Sequence, residues 1–444
     1  MLQIATVHTP LEPQSAPTYI MRSLVYLIIS CLLATGCAAP LTYDLMQTPI
    51  LYVDSPLDPF AHLPEELKNP QSTIYYATNR APSGAGSSTP YSNSISEMLR
   101  FGSATVRMGG QNTDWETLHR SSLLVQRSEP ILISLEQTEE TAVLPQSDNL
   151  QGKQIPAELK DFFKQINNEL AKVVDKEIMV YIHGTKVDFT NAAVLAAEVE
   201  HFAGRDFVSV AYAWPSHQNI LSYLFGTDVK RARDSSTGLT EVIILLAQET
   251  TAKKINILSY SAGGRVASKA LEEMRRRFVH LDTEQLKKEF RIGAVIFAAA
   301  DVEIDVFLER LSAANDFADQ VVITTSDKDN ALQAAQKYMG GPVRAGTTEA
   351  ERSELNFIGA ENLDKVSIID VSLGQDQRGF DIVGHHYWYR HPWMSSDIIF
   401  VMRTDLPPRR RGLQQAENGS IWYLSADYPQ QVKEAAAIEL GSQW

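Results

Sequence analysis

The chain has 444 residues, of which 44% are hydrophobic and 21% charged, and its 40 Lys and Arg against 54 Asp and Glu leave a formal net charge of −14. That much apolar material can bury a sizeable core, which excludes disorder over the whole length, and the acidic balance argues against nucleic acid, whose phosphates would be repelled. The only cysteines are Cys31 and Cys37, so the chain beyond them has no disulfide framework, thiolate metal site or catalytic cysteine.

The N-terminal stretch has signal-peptide anatomy. Arg22 precedes the short apolar run from Leu24 to Leu33, and Ala34-Thr35-Gly36 leads into Cys37. The run is about half of what a bilayer-spanning helix needs. Residues 1–20 carry no Lys or Arg, and Met21 stands beside Arg22, so Met21 is expected to be the true start. The small residues before Cys37 resemble a bacterial lipobox, with Ala34 where Leu is common. The resemblance implies cleavage after residue 36 and acyl chains on Cys37, a lipid anchor in place of a spanning helix. Ala38, rather than Asp, implies the outer membrane, facing the periplasm. Removing residues 1–36 takes away Arg22 and Glu12 and leaves the net charge at −14.

Residues 37–72 are Pro-rich and read as a lipidated tether. The stretch 73–176 reads as a β-rich part, with strands at Thr73–Asn79, Phe101–Met108 and Ile131–Leu135. A Ser-, Gly- and Pro-rich loop is expected from Arg80 to Ser94. The polar stretch Glu136–Lys160 reads as mostly loop, running into a short helix over Ala157–Val174. From residue 177 the pattern changes. Apolar strands at Ile178–Ile182, Phe207–Ala213, Ile255–Leu258, Ile292–Ala299, Gln320–Thr325 and Val366–Val371 alternate with helices at Asn191–Ala203, Asp228–Thr250, Ala262–Phe278, Ile304–Leu311 and Asn330–Met339. Strands that are apolar throughout, alternating with amphipathic helices, predict a mainly parallel sheet covered on both faces over 177–425. A C-terminal helix or tail is expected over 426–444.

The chemistry centres on Leu258-Ser259-Tyr260-Ser261-Ala262-Gly263-Gly264, between a predicted strand and a predicted helix. A nucleophile elbow needs small residues two before and two after its serine, because the turn leaves no room for side chains. Gly263 meets this need, and Ser259 is small although glycine is usual there. Such a turn lifts the Ser261 hydroxyl above the sheet and places the Ala262 amide at a helix start, where it can face an oxyanion. Ser261 could instead serve as a helix N-cap. After the strand ending at Ile182, His183-Gly184-Thr185 is the loop expected to supply a second amide, with Thr185 and Gly184 as candidates.

A nucleophilic serine needs a base, and the base an orienting acid, in the chain order Ser, acid, His. His385 and His386 lie in a loop after the last predicted core strand, with His385 preferred for following Gly384; His280 reads as a surface residue. For the acid, Asp329 follows the strand Gln320–Thr325, with Asp301 and Asp327 as alternatives. Each could instead cap a helix, and Ser326 with Asp329 has capping-box spacing. Trp214-Pro215-Ser216 could line a pocket or pack. Tyr387, Trp388, Tyr389 and Trp393 could form an acyl pocket or an aromatic cluster. Arg409-Arg410-Arg411 reads as a solvated turn rather than a lipid headgroup contact. No P-loop, zinc-binding helix or dinucleotide fingerprint is present.

Tyr181-Ile182-His183-Gly184, Ala213-Trp214-Pro215-Ser216, Ser259-Tyr260-Ser261-Ala262-Gly263, Ala299-Ala300-Asp301-Val302 and Gly384-His385-His386-Tyr387 together resemble a bacterial α/β-hydrolase branch, the DUF nine-hundred group. The strand end Ala77-Thr78-Asn79-Arg80 shares the resemblance, which covers about residues 73 to 425. It implies an α/β-hydrolase fold with an N-terminal β-rich extension. It also implies a Ser-His-Asp triad at Ser261, His385 and Asp329, and an oxyanion hole at Ala262 and Thr185. His386, Asp301 and Asp327 remain the alternatives. The expected activity is that of a serine hydrolase on carboxylic esters, needing no metal or organic cofactor. The expected partners are an ester- or acyl-bearing small molecule or lipid, and the envelope membrane through Cys37. Two other readings stand beside it: an acyltransferase on envelope lipids, and a non-catalytic lipoprotein that serves as an interaction module.

Overall fold

The computed structural model describes residues 43–87, 89–146, 154–219, 226–350, 356–358, 361, 363–372, 385–416 and 421–441. The signal-peptide, start-site and lipidation readings, with Cys31 and Cys37, fall outside them, as does Gly384.

The strands are β1 (Tyr43–Asp44), β2 (Gln71–Pro82), β3 (Tyr91–Met108), β4 (Leu132–Pro145), β5 (Glu177–Ile182), β6 (Phe207–Tyr212), β7 (Ile255–Tyr260), β8 (Ile292–Ala298), β9 (Ala318–Thr325), β10 (Val366–Asp370), β11 (Gln414–Gln415) and β12 (Ile421–Tyr423). They form one sheet in the order β1-β4-β3-β2-β6-β5-β7-β8-β9-β10-β12-β11. Every pairing from β2 through β6, β5, β7, β8, β9 and β10 to β12 is parallel. The flanks, β1-β4-β3-β2 on one side and β12-β11 on the other, are antiparallel.

The helices are α1 (Trp115–Ser122), α2 (Ala157–Leu170), α3 (Phe189–Phe202), α4 (Thr227–Glu249), α5 (Gly263–Arg277), α6 (Thr283–Phe290), α7 (Ile304–Phe317), α8 (Asn330–Met339), α9 (Tyr387–Arg390), α10 (Pro392–Arg403) and α11 (Tyr428–Glu439). Alternation along each strand splits the core into two layers. Ile178, Val180 and Ile182 of β5 face a layer with α2, α4, α5, α6 and α7. Met179 and Tyr181 face the other, with α3, α10, α11 and the N-terminal segment. Strands covered on both faces have no polar side to show, which explains their unbroken apolar sequences.

Four readings need correction. The stretch Glu136–Lys160 is not mostly loop, because its first part continues β4 to Pro145, paired along β3 from Met108↔Ile133 to Met98↔Pro145. β4 is largely exposed, so its polar residues are the solvent side of an antiparallel pair, and they hide the strand in the sequence. The expected Arg80–Ser94 loop shrinks to the connection between β2 and β3. The tether reading fails from residue 43 onward. Leu51, Tyr52, Leu57 and Phe60 are buried between the prolines, and β1 pairs with β4. The Leu51 amide donates to Ser396 Oγ of α10 (3.2 Å), and Arg127 donates to the carbonyls of Leu45 (2.8 Å) and Met46 (2.9 Å). Proline limits the stretch to short elements, such as the 3-10 turns Ile50–Tyr52 and Glu65–Leu67, but does not prevent burial. Likewise Arg411 is not solvated: it is fully buried against Asp397 (Nε to Oδ1 2.8 Å) and Leu406 O (2.7 Å).

The segment crosses α3 at Glu198, whose Oε1 accepts the Met46 amide at 2.7 Å. Burial pushes the Glu198 carboxyl from its ordinary 4.5 up to about 8, against the pull of that amide and of Arg127. Between these values the unfolded chain ionises Glu198 while the folded protein keeps it protonated, so this group removes stability as pH rises through the window. Glu198→Gln keeps an acceptor for Met46 and removes the ionisation. In urea unfolding, the variant should gain on the parent from pH 5 to pH 8, by up to a few kcal/mol. A difference that stays flat across that range would contradict a neutral buried carboxyl.

Candidate active site

β7 ends at Tyr260 and α5 starts at Gly263, which leaves Ser261 and Ala262 to reverse the chain. Ser261 has φ 53°, the left-handed region that costs a non-glycine residue roughly 1–2 kcal/mol. Its neighbours hold it there: its amide donates to Ala298 O (2.9 Å), and its carbonyl accepts from Gly264 (2.9 Å) and Asp301 (3.2 Å). Ser259, where glycine is usual, is buried and donates its hydroxyl to Ile296 O at 3.0 Å. α5 begins two residues after Ser261, so the partial positive charge of its N-terminal end adjoins the turn.

His385 Nε2 lies 2.7 Å from Ser261 Oγ, and His385 Nδ1 lies 2.7 Å from Asp329 Oδ2. Asp329 is also the N-cap of α8, where its other oxygen, Oδ1, accepts the Leu332 amide at 3.0 Å. Capping and orienting therefore do not exclude each other, because a carboxylate has two oxygens. Asp329, not Ser326, caps the helix. With an acceptor on Nδ1, the imidazole donates its proton to Asp329 and leaves Nε2 free to accept from the serine hydroxyl. The imidazole is held from behind as well: Tyr260 packs its ring 5.1 Å from the His385 ring and donates its hydroxyl to His385 O (3.3 Å). Tyr387 shares a hydrogen bond with Thr324 Oγ1 (2.8 Å), which ties the His385 segment to the C-terminal end of β9. All three members are at least nine-tenths buried, so bulk water screens the chain of hydrogen bonds little.

The alternatives stand elsewhere. His386 packs on the rings of Tyr389 (5.8 Å) and Tyr260 (6.5 Å). Asp327 is exposed, and its amide donates to Ser372 Oγ at 2.9 Å. Asp301 is buried and ion-paired with Arg344 (3.2 Å) and Arg265 (3.5 Å). Burial pushes its carboxyl up to about 7 despite Arg344. His280 is exposed.

The loop after β5 runs beside the elbow. A Cβ on Gly184 would sit 3.0 Å from the Ser261 Cβ and 3.2 Å from the Tyr260 ring, so glycine is what lets the loop come this close. Among the described residues, the amides of Ala262 and Thr185 donate to no other group. Thr185 Oγ1 donates to Asp228 Oδ2 (2.7 Å), and Asp228 also accepts the His217 amide at 3.0 Å. Trp214 does not line a pocket: it is fully buried, stacks on His183 at 5.2 Å and donates Nε1 to His183 O at 2.7 Å. Ser216 Oγ donates to Val187 O (2.8 Å). The Trp-Pro-Ser motif is thus a brace for the loop. Tyr387, Trp388 and Trp393 are buried too, Trp388 against the rings of Tyr181 and Tyr260 and Trp393 against those of His391 and Tyr428. Among the described residues no group of three or more His, Cys, Asp or Glu side chains could hold a metal, and no helix is long and apolar enough to cross a membrane.

Sequence reasoning overlooked Asp228 and gave Arg80 no role. Both are polar residues at the ends of elements, where a cap or a solvated face is the ordinary explanation, and only their full burial sets them apart.

Gly263 has the strictest requirement. A Cβ there would meet Ile182 O at 2.5 Å and His183 O at 2.6 Å, both backbone atoms that cannot swing away. At Gly264 the nearest atom is the Ala300 Cβ at 3.2 Å. Gly263→Ala should lower stability by about 1–3 kcal/mol or more, and Gly264→Ala by clearly less, because added helix propensity offsets its milder clash. Thermal unfolding of the two variants side by side checks this; equal losses would mean that α5 does not press on β5 as described.

Comparison with known proteins bears on the whole arrangement. The family described as "Alpha/beta hydrolase of unknown function (DUF900)" matches residues 159–401. Esterase B from Lactobacillus Rhamnosis (HN001) is a structural neighbour with 13% identity and a TM-score of 0.29, covering 52% of this chain and 75% of its own. A lipase-esterase related protein from Clostridium acetobutylicum ATCC 824 is another, with 13% identity and a TM-score of 0.22, covering 60% and 93% respectively. No curated protein matches the chain. With its parallel sheet flanked by helices and a family match over more than half its length, the chain belongs to the α/β-hydrolase family DUF900.

Proposed function

We propose that the protein is a serine hydrolase acting on carboxylic esters. The observation that carries this reading is the unbroken chain Asp329–His385–Ser261, with both links at 2.7 Å and the serine held in a left-handed turn. Ser261 Oγ attacks the ester carbonyl carbon as His385 Nε2 takes its proton. Asp329 holds the imidazole in the required tautomer and stabilises the imidazolium. The amides of Ala262 and Thr185 receive the oxyanion, a contribution of ~3 kcal/mol per donor when measured by removal. The carbon–oxygen bond to the alcohol then breaks, the leaving alkoxide takes the proton from His385, and an acyl-enzyme remains. His385 next deprotonates a water that attacks the acyl carbon. Collapse releases the acid and returns the proton to Ser261. No step in this sequence calls on a cofactor.

The reading is tested with a fluorophosphonate probe, which phosphonylates only an activated serine. The wild type should be labelled and should hydrolyse p-nitrophenyl butyrate, and Ser261→Ala should do neither. Asp329→Asn should stay folded and lose about 10⁴-fold in kcat, because the imidazole would present the wrong tautomer. A folded wild type that neither labels nor hydrolyses would overturn the reading and favour an interaction module. Acyl transfer to an added alcohol in preference to water would move it to an acyltransferase.

We further propose that the enzyme works at the bacterial envelope, anchored through acyl chains on Cys37. The support is the lipobox-like run that ends at that cysteine. Palmitate labelling and membrane fractionation of the expressed chain check this. Both signals should vanish in Cys37→Ser, and a variant still labelled and still in the membrane fraction would refute it.

A further inference from the structure

Resting on the reading above and deepening it, we propose that Arg80 is a positioning residue that sets the direction of the oxyanion loop by fixing the tautomer of His183. Arg80 lies two residues before the end of β2, where it pairs antiparallel with β3, outside the segment that carries Ser261, Asp329 and His385, and its side chain is fully buried. Its guanidinium is spent on the loop and on the loop's brace. Nη2 donates to Val187 O (2.7 Å) and meets His183 Nε2 (3.4 Å), and Nε donates to Ala213 O (3.2 Å). Nη1 reaches Ser92 O (3.4 Å) and Asn93 Oδ1. Asp188 and Asp228 act on its charge only through space.

A guanidinium has donors and no acceptor, so the His183 Nε2 facing it at 3.4 Å is assigned as the bare nitrogen. The ring proton is then on Nδ1, which lies 2.7 Å from Gly184 O and donates to it. That carbonyl belongs to the Gly184–Thr185 peptide. In a trans peptide the C=O and the N–H point in opposite directions. Drawing the carbonyl toward His183 therefore turns the Thr185 amide the other way. The other tautomer would place a bare Nδ1 against the carbonyl and push that peptide to rotate. Trp214, stacked flat on the same ring, keeps the imidazole in plane. Arg80 thereby orients a donor it does not touch.

The test follows the tautomer directly and the chemistry separately. In protein labelled with ¹⁵N-histidine at pH 7, His183 should show a protonated Nδ1 and a bare Nε2; its signals among the ten histidines are identified by their loss in His183→Phe. Arg80→Met should convert them to a mixed tautomer. In the same variant, the rate of phosphonylation by the fluorophosphonate and kcat for p-nitrophenyl butyrate should fall about 10- to 100-fold, with KM within about threefold, normalised to folded protein by circular dichroism. If Arg80→Met does not fold, His183→Phe decides the point. It keeps the stack on Trp214 but cannot hold Gly184 O, and it should label more than 10-fold more slowly. A merely structural Arg80 would lower the melting temperature and leave the tautomer and the rates unchanged. The proposal is overturned if folded Arg80→Met keeps the wild-type tautomer, or if His183→Phe labels at the wild-type rate. A wild type that is not labelled at all would overturn the hydrolase reading, and the tautomer of Arg80→Met would still decide this one.

Discussion

The geometry of the site depends on one turn. Ser261 stands in the left-handed region between the central strand β7 and helix α5, and a side chain there is stable only because its surroundings leave it no alternative. Its amide is tied to the end of β8, and its carbonyl receives both the first turn of α5 and the Asp301 amide. Gly263 then brings α5 against the end of β5, where only hydrogen fits. Two further non-glycine residues, Lys186 (φ 60°) and Ala299 (φ 48°), take the same backbone conformation in the adjoining loops. Strain gathers where three strands end together, and the interlocked sheet below supplies the stability that tolerates it.

Electrostatics follow from the same crowding. His183, Arg80, Asp228, Asp301 and Arg344 are all buried around the elbow. Burial, reinforced by Arg80, drives the His183 imidazole down to about 3, so at neutral pH it is an uncharged hydrogen-bonding spacer. Asp301 finds two arginines, and Asp228 gathers Thr185 and the His217 amide. These groups are expensive to bury singly and hold loops in place when satisfied together. In this way loops that carry few regular hydrogen bonds of their own can be as fixed as strands.

Asp329 shows how a local and a tertiary role can share one residue. Its sequence setting is that of a helix cap, and it is one; the second oxygen is then free for His385, 56 residues away in the chain. Reading the sequence could place Asp329, Asp301 and Asp327 each at a strand end. It could not separate them, because what distinguishes them is which one the imidazole reaches after folding.

Local chemistry determined much of this protein. Apolar strands in alternation with amphipathic helices dictate a parallel sheet with two covered faces, since no other arrangement buries such strands. Small residues around Ser261 dictate the tight turn, because backbone sterics act within a few residues. The tertiary structure alone decided the rest. The polar residues of β4 became a strand only by pairing with β3, and the Pro-rich stretch from Tyr43 became part of the body only by finding α3 and α10. Arg411, one of three consecutive arginines, was singled out by Asp397, and Arg80 by the loop it holds. In each case the partner is distant in the chain. A polar side chain carries no local mark of whether it will face water or a buried acceptor; that is settled when the layers close around it.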